Sequence, residues 1–321
     1  MAPVAEEMKK LKITFLFFLI SGSILYGQQD PVFTQYMFNN LAFNPASSGI
    51  NNMICASAVS RQQWVGFTGA PKTMVFNLSA PVSPFHIKSG VGLNIESGSL
   101  GFEKDIVFSG SYSYIKDVGT GKLGIGINLG VVNMTLAPNW QIPSGDTHVP
   151  ASGDPLIPET KESYVAFDMG FGSFYRTDRF YAGLSVTHLN EPKIKFTKGE
   201  PYLSRHYYIT SGYTITLANP AFELLPSVFA YSDGKVVQMA VNTLIRYNKK
   251  VWGGVSYRSG DAVCGIVGVE LYNGIRVGYS YDFPLTDIRK STSGTHEFMV
   301  NYCFDFGTGK SPMRYKSIRF L

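Results

Sequence analysis

Residues 122–132 read KLGIGINLGVV. On a two-residue period, Leu123, Ile125, Ile127, Leu129 and Val131 share one side, while Gly124, Gly126, Asn128 and Gly130 share the other. Successive side chains of a β-strand point to opposite faces, so this stretch backs a bulky apolar face onto a small polar one. A water-exposed sandwich also alternates, but its polar face carries Lys, Glu and Thr. A face of Gly and Asn suits instead the interior of a transmembrane β-barrel, with the apolar face turned to lipid.

The pattern recurs along the chain. In YVAFDMGF (164–171), Val165, Phe167, Met169 and Phe171 oppose Ala166, Asp168 and Gly170. In YYITSGYTITL (207–217), Tyr207, Ile209, Tyr213, Ile215 and Leu217 oppose Tyr208, Thr210, Gly212, Thr214 and Thr216. In IRVGYSYDF (275–283), Ile275, Val277, Tyr279 and Tyr281 oppose Arg276, Gly278, Ser280 and Asp282. Composition agrees: charged residues are 16% of the 321, hydrophobic ones 45%, and there are 33 Gly, against a charged share of roughly 25% in ordinary soluble proteins. No run past residue 50 approaches the roughly 20 apolar residues of a membrane helix. The net charge of +5 comes with no dense basic run, which argues against nucleic acid as a partner.

Strands are expected near 53–60, 73–80, 88–97, 104–116, 122–135, 162–176, 179–189, 203–217, 222–232, 235–248, 250–258, 262–272, 274–283 and 295–306. They form an all-β, antiparallel barrel of about fourteen strands, an even number as bacterial barrels have. The longest connections, at 137–161, 190–205 and 284–294, fall on one side of this topology. The short ones fall on the other, as external loops and periplasmic turns do. Tyr175, Tyr202, Tyr247, Trp252 and Tyr281 are candidates for the interfacial aromatic girdles.

Met8 opens MKKLKITFLFFLISGSILYG, with Lys9, Lys10 and Lys12 before an apolar run from Ile13 to Leu25. This is the layout of a secretory signal peptide, assigned to residues 1–27, and MAPVAEE before it fits no n-region, so Met8 competes with Met1 as the start. Residues 28–51 are then an N-terminal periplasmic or plug segment, 52–306 the barrel, and 307–321 a tail made basic by Lys310, Arg314, Lys316 and Arg319. Outer-membrane location and contact with membrane lipids follow.

Few residues suggest chemistry. GFTGAPKT (66–73) has the wrong spacing for a phosphate loop, and Pro71 removes a backbone donor. Cys55, Cys264 and Cys303 show no CxxC spacing and read as isolated small apolar residues rather than a disulfide framework or a zinc site. His86, His148, His188, His206 and His296 show neither HxxxH nor HExxH spacing. No catalytic residue, metal or cofactor is expected. A lipase pairing His188 or His206 with a serine across strands is a weaker alternative. By parity Glu96, Asp168, Arg246, Arg258, Glu270, Arg276, Asp282 and Glu297 face the lumen. Turning such charges to lipid would cost up to about 2–4 kcal/mol for Arg at the midplane. Their mixed signs point to pairing across the lumen, and the Gly-rich inner faces leave room for a plug.

Several stretches together resemble a known family: QQDPVFTQYMFNNLAFNPASSG (28–49), RQQWVGFTGAPKT (61–73), residues 256–304 beginning SYRSGDAV, and the ending YKSIRFL (315–321). The chain is similar to PorP/SprF proteins. That resemblance implies an outer-membrane component of the type IX secretion system of Bacteroidota, partnered with periplasmic secretion and motor proteins or with a very large secreted surface adhesin. An adaptor for adhesin secretion or attachment is then the leading expectation, and a diffusion or substrate-specific channel is the alternative. Phe33, Gln35, Tyr36, Phe38, Asn44, Pro45, Arg61, Gln63 and Trp64 are the candidate partner-binding residues. The first six would meet a periplasmic partner; the last three would form a lid or cargo contact at the outer loop.

Overall fold

The computed structural model describes residues 30–138, 160–272 and 274–304. Fifteen β segments run in order: β1 (Ile54–Gln62), β2 (Lys72–Val82), β3 (Ser89–Leu100), β4 (Glu103–Val118), β5 (Gly121–Leu136), β6 (Glu162–Arg176), β7 (Phe180–Thr187), β8 (His206–Tyr213), β9 (Ile215–Thr216), β10 (Phe222–Ser232), β11 (Val237–Tyr247), β12 (Val251–Arg258), β13 (Ala262–Glu270), β14 (Ile275–Pro284) and β15 (Thr295–Phe304). Segments β8 and β9 are one barrel strand: both pair with β10 in the same register, and between them the Thr214 N–H bonds to the carbonyl of Arg179, extending the β7–β8 pairing. Every neighbour is antiparallel, and β15 pairs with β1 from Ile54↔Phe304 to Gln62↔His296. The sheet is therefore a closed barrel of 14 strands. Closure removes the unpaired edges that a membrane would not tolerate.

The burial pattern is inside out. Ile125, Ile127, Leu129 and Val131 of β5 are exposed on the outer wall, as are Phe167, Ile209, Val255 and Val267 on other strands. Ser113, Asn242, Ser280 and Glu297 are buried within the lumen. Connections 63–71, 188–205 and 285–294 lie at one end, called outer here, where β5 also ends and β6 begins. Connections 83–88, 119–120, 177–179, 217–221 and 248–250 lie at the other, inner end, where β13 ends and β14 begins.

The lumen is occupied by the chain's own N-terminal segment. From Asp30 it descends from the outer end through 3-10 turns at Tyr36–Phe38, Asn40–Ala42 and Pro45–Ser47, and it turns into β1 at the inner end. Its side chains complete two apolar clusters with the inner wall. Phe33 packs with Val59, Val75, Leu244, Trp252, Ile266 and Met299. Tyr36 and Phe43 pack with Tyr208, Phe229 and Tyr231. Ala46 and Ile50 meet Ile115 and Phe174 lower down. The glycines of the inner face make the approach possible: a Cβ on Gly126 would lie 2.7 Å from both the Cα and the N of Ala46. Gly90 and Gly124 abut the plug backbone at Ser48 and Ala46 in the same way.

Two expectations are corrected here. Cys55 and Cys303 form a disulfide across the closing seam, because the β1–β15 register sets them opposite each other and both point inward. Spacing along the chain carries no trace of this, since 248 residues separate them. Trp252 is not an interfacial girdle residue. It faces the lumen and packs on Phe38, their ring centroids 5.4 Å apart.

Candidate functional site: the plug and its anchors

The plug is held by charge at its outer end. Glu297 of β15 accepts the backbone N–H of Thr34 at Oε2 and that of Gln35 at Oε1, each at 2.8 Å. Thr34 donates its hydroxyl to Asp282 of β14 at 2.8 Å. Arg61 of β1 bridges the two carboxylates, with Nη2 2.8 Å from Asp282 and Nη1 3.0 Å from Glu297. Arg258 of β12 completes the network, 3.4 Å from Asp282, 2.8 Å from Asp261 and 2.9 Å from the Thr34 hydroxyl. Glu297, Arg61, Asp282 and Arg258 are all buried. Buried charges persist only when paired and hydrogen-bonded, and here the plug backbone supplies part of that pairing.

Further down the contacts are neutral. The Tyr36 hydroxyl lies 2.9 Å from that of Ser227, and Asn77 Nδ2 donates to the side-chain Oδ1 of Asn39. Asn44 uses its whole amide: Nδ2 donates to the carbonyls of Ser173 and Leu184, while Oδ1 accepts the N–H of Ala46 and caps the 3-10 turn that Pro45 begins. Ser113 donates to the Ala46 carbonyl at 3.1 Å, and Ser48 meets Ser111 at 2.7 Å.

The upper end of the plug reaches a second cluster. His188, just past β7, lies 3.0 Å from Asp168 through Nδ1 and 3.0 Å from Asp30 through Nε2. Asp30 also accepts from Tyr208 at 2.6 Å and from Thr187 at 3.1 Å. Burial opposes the imidazolium of His188, but the carboxylates of Asp30 and Asp168 on either side raise its pKa well above the usual value. Burial likewise works against the Asp30 carboxylate, yet His188 and His206 hold it below the ordinary range. A cavity of about 550 Å³ opens at the outer mouth beside Asp30, Glu96, Asp168, His188, Arg61 and Trp64, and runs down between plug and wall as far as Phe43, Pro45, Ser111 and Asn128.

This is a barrel with a self-derived plug, and its sequence places it in a family. Residues 25–302 match the family described as type IX secretion system membrane protein PorP/SprF. The chain belongs to the PorP/SprF family. It is thus an outer-membrane barrel of the type IX secretion system, in contact with lipid and with secretion components. Its outer end is extracellular and its inner end periplasmic, following the loop-length rule. Solved structures similar to it include a FadL homologue of Pseudomonas aeruginosa, at 14% identity, covering 87% of this chain and 96% of that one, with a TM-score of 0.48. The toluene transporter TodX of Pseudomonas putida is similar at 12% identity, 83% and 93% coverage and a TM-score of 0.49. The outer membrane protein Omp33 of Acinetobacter baumannii follows at 8% identity, 79% and 99% coverage and a TM-score of 0.45. No curated protein matches the sequence.

In this PorP/SprF protein the candidate partner-binding residues divide by location. Phe33, Gln35, Tyr36, Asn44 and Pro45 are buried inside the lumen, and Phe38 is half-buried against Trp252. A periplasmic partner has no access to them, because each apolar ring is already packed on the barrel wall. Arg61 is likewise no cargo contact; it is 3% exposed and holds the plug. Gln63 and Trp64 do line the extracellular cavity. Their loop is tied to 291–294 through Val65 N–H to the Gly294 carbonyl at 2.8 Å and Ser293 N–H to the Val65 carbonyl at 2.7 Å. Among the lumen charges, Arg246 pairs with Glu223 at 2.6 Å and Arg276 with Glu270 at 2.7 Å, both near the periplasmic end. The expected signal peptide at 1–27, residues 139–159 and the tail with Lys310, Arg314, Lys316 and Arg319 lie outside the described residues.

Sequence reasoning missed Asp30, Thr34 and the meeting of His188 with His206. The last was available: the two histidines flank one hairpin connection, and Thr187 pairs with His206 in the β7–β8 register. His188 contacts carboxylates, and His206 Nδ1 lies 3.0 Å from the backbone carbonyl of Ser204.

Proposed function

We propose that this PorP/SprF barrel acts by binding, as a plugged adaptor for secretion or surface attachment of a large adhesin, and neither conducts solutes nor catalyses a reaction. The observation that carries this reading is the plug itself. Residues 33–50 obstruct the lumen and are fastened to it by buried ion pairs at one end and by paired amides lower down. An obstructed lumen leaves recognition to the two ends and to the cavity that opens at the outer one. The extracellular end offers Gln63, Trp64 and the exposed Phe67 beside the cavity. The periplasmic end offers Phe85, 94% exposed in its turn.

Planar bilayer recording and adhesin display test the proposal together. The intact protein is expected to be electrically silent, and deletion of residues 28–44 to open it. Replacing Trp64 and Phe67 with alanine is expected to lower adhesin display while the barrel stays inserted and silent. Steady conductance by the intact protein, with normal display in the double variant, would favour a channel and defeat the adaptor reading.

A further inference from the structure

Three groups from three separate parts of the chain converge at the extracellular mouth. Asp30 comes from the plug, His188 from the end of β7 and His206 from the start of β8, and one ligand atom of each lies within 4.8 Å of the others. The surroundings of the two imidazoles matter as much as the proximity. His188 Nδ1 faces the Asp168 carboxylate at 3.0 Å, which leaves Nε2 turned to Asp30. His206 Nδ1 faces the Ser204 carbonyl at 3.0 Å and lies 3.6 Å from Asp30 Oδ2, while its Nε2 accepts only a long hydrogen bond, 3.5 Å, from the backbone N–H of Asp30, which a metal ion would replace. A metal-bound histidine almost always donates its other ring N–H to a carboxylate or a backbone carbonyl, which fixes the tautomer and raises ligand basicity. Both histidines here already have that second partner. Asp30 is oriented too, through Tyr208 and Thr187 on Oδ2, with Oδ1 turned to His188.

We propose that Asp30, His188 and His206 form a binding site for a divalent transition metal, Zn²⁺ foremost, that fastens the head of the plug to the barrel wall. Two imidazoles and one carboxylate make a donor set of the borderline type that Zn²⁺ and its neighbours prefer. Mg²⁺ and Ca²⁺ are disfavoured, since they take oxygen ligands. The spacing suits the size of the ion. Ligands at 2.0–2.2 Å from tetrahedral zinc stand about 3.4 Å apart, so the 3.0 Å between His188 Nε2 and Asp30 Oδ1 needs to widen only slightly. All three ligands line the extracellular cavity, which leaves a fourth position for water or for a donor from a bound partner. Asp168 is a positioning residue: it holds the His188 tautomer and is not itself a ligand.

The test uses the full chain, purified in detergent through a histidine-free tag, stripped with chelator and titrated with Co²⁺. One Co²⁺ per chain is expected, with a visible d–d band that Zn²⁺ abolishes. His188→Gln and His206→Gln should each remove the band. Asp168→Asn should keep it but weaken binding by roughly 10–100-fold, the usual effect of losing an outer-shell partner. Asp30→Ala guards against misfolding, because it alters the plug and no strand; it too should lose the band while the barrel keeps its heat-modifiable migration on gels. Failure of the intact protein to bind Co²⁺ or Zn²⁺ stoichiometrically overturns the proposal. So does binding that persists unchanged in Asp30→Ala or in both histidine variants.

Discussion

Replacing Glu297 with alanine should release the plug without dismantling the barrel. Glu297 accepts two plug amides, those of Thr34 and Gln35, each 2.8 Å away, and it shares Arg61 with Asp282. Hydrogen bonds to a charged group contribute about 1.5–3 kcal/mol each, so losing both weakens plug docking by roughly 3–6 kcal/mol. At 1.4 kcal/mol per factor of ten, that is about 10²- to 10⁴-fold in the ratio of seated to released plug. Arg61 stays compensated by Asp282, and the strand ladder on both sides of position 297 is backbone–backbone, so the wall itself loses little. The assay is single-channel recording, paired with thiol labelling of a cysteine placed at Ser57, which lies beneath Asn39 of the plug. The variant should show transient openings and faster labelling than the parent. Silence with unchanged labelling would refute the idea that the Glu297 carboxylate holds the plug, and would leave the aromatic packing of Phe33, Tyr36 and Phe43 as its main anchor.

Other perturbations have expected outcomes. Gly126→Val drives a side chain into the Ala46 backbone; such overpacking costs about 1–3 kcal/mol, and labelling at the periplasmic half of the lumen should rise. Cys55→Ser removes the seam disulfide. For a loop of this length the chain-entropy model gives about 5 kcal/mol, so the temperature of the heat-modifiable gel shift should fall, and reductant should have the same effect on the parent and none on the variant. Arg276→Ala breaks a pair whose side chains are about a third exposed; pairs of that kind are worth about 0–1 kcal/mol, so the same shift should barely move.

The barrel was legible because lipid and lumen impose opposite chemistries on alternate residues. KLGIGINLGVV announces both faces at once, and each of the expected strands has a counterpart in the ladder. The plug was half legible. Gly124, Gly126 and Gly278 were visibly too small for a lumen packed by its own wall, but nothing in residues 28–51 says how deep they go. Arg61 was misplaced for a similar reason: it sits next to an aromatic loop, and only strand parity against Asp282 and Glu297, over 200 residues on, shows that it points inward. The disulfide and the Asp30–His188–His206 cluster depend on closure and on the descent of the plug, and separation along the chain records neither.

The position of the plug's anchors also bears on how the molecule comes to be assembled. The segment that enters the lumen precedes β1 along the chain, whereas two of its acceptors, Asp282 and Glu297, sit on β14 and β15. Until β15 has joined β1, the amides of Thr34 and Gln35 lack the carboxylate that fastens them, and the disulfide partner of Cys55 is not yet in register. A fully fastened plug is therefore a completion mark: only a barrel that has zipped shut in the correct register can make every one of its anchors, and one that has stalled short of β15 holds the segment without the Glu297 anchor.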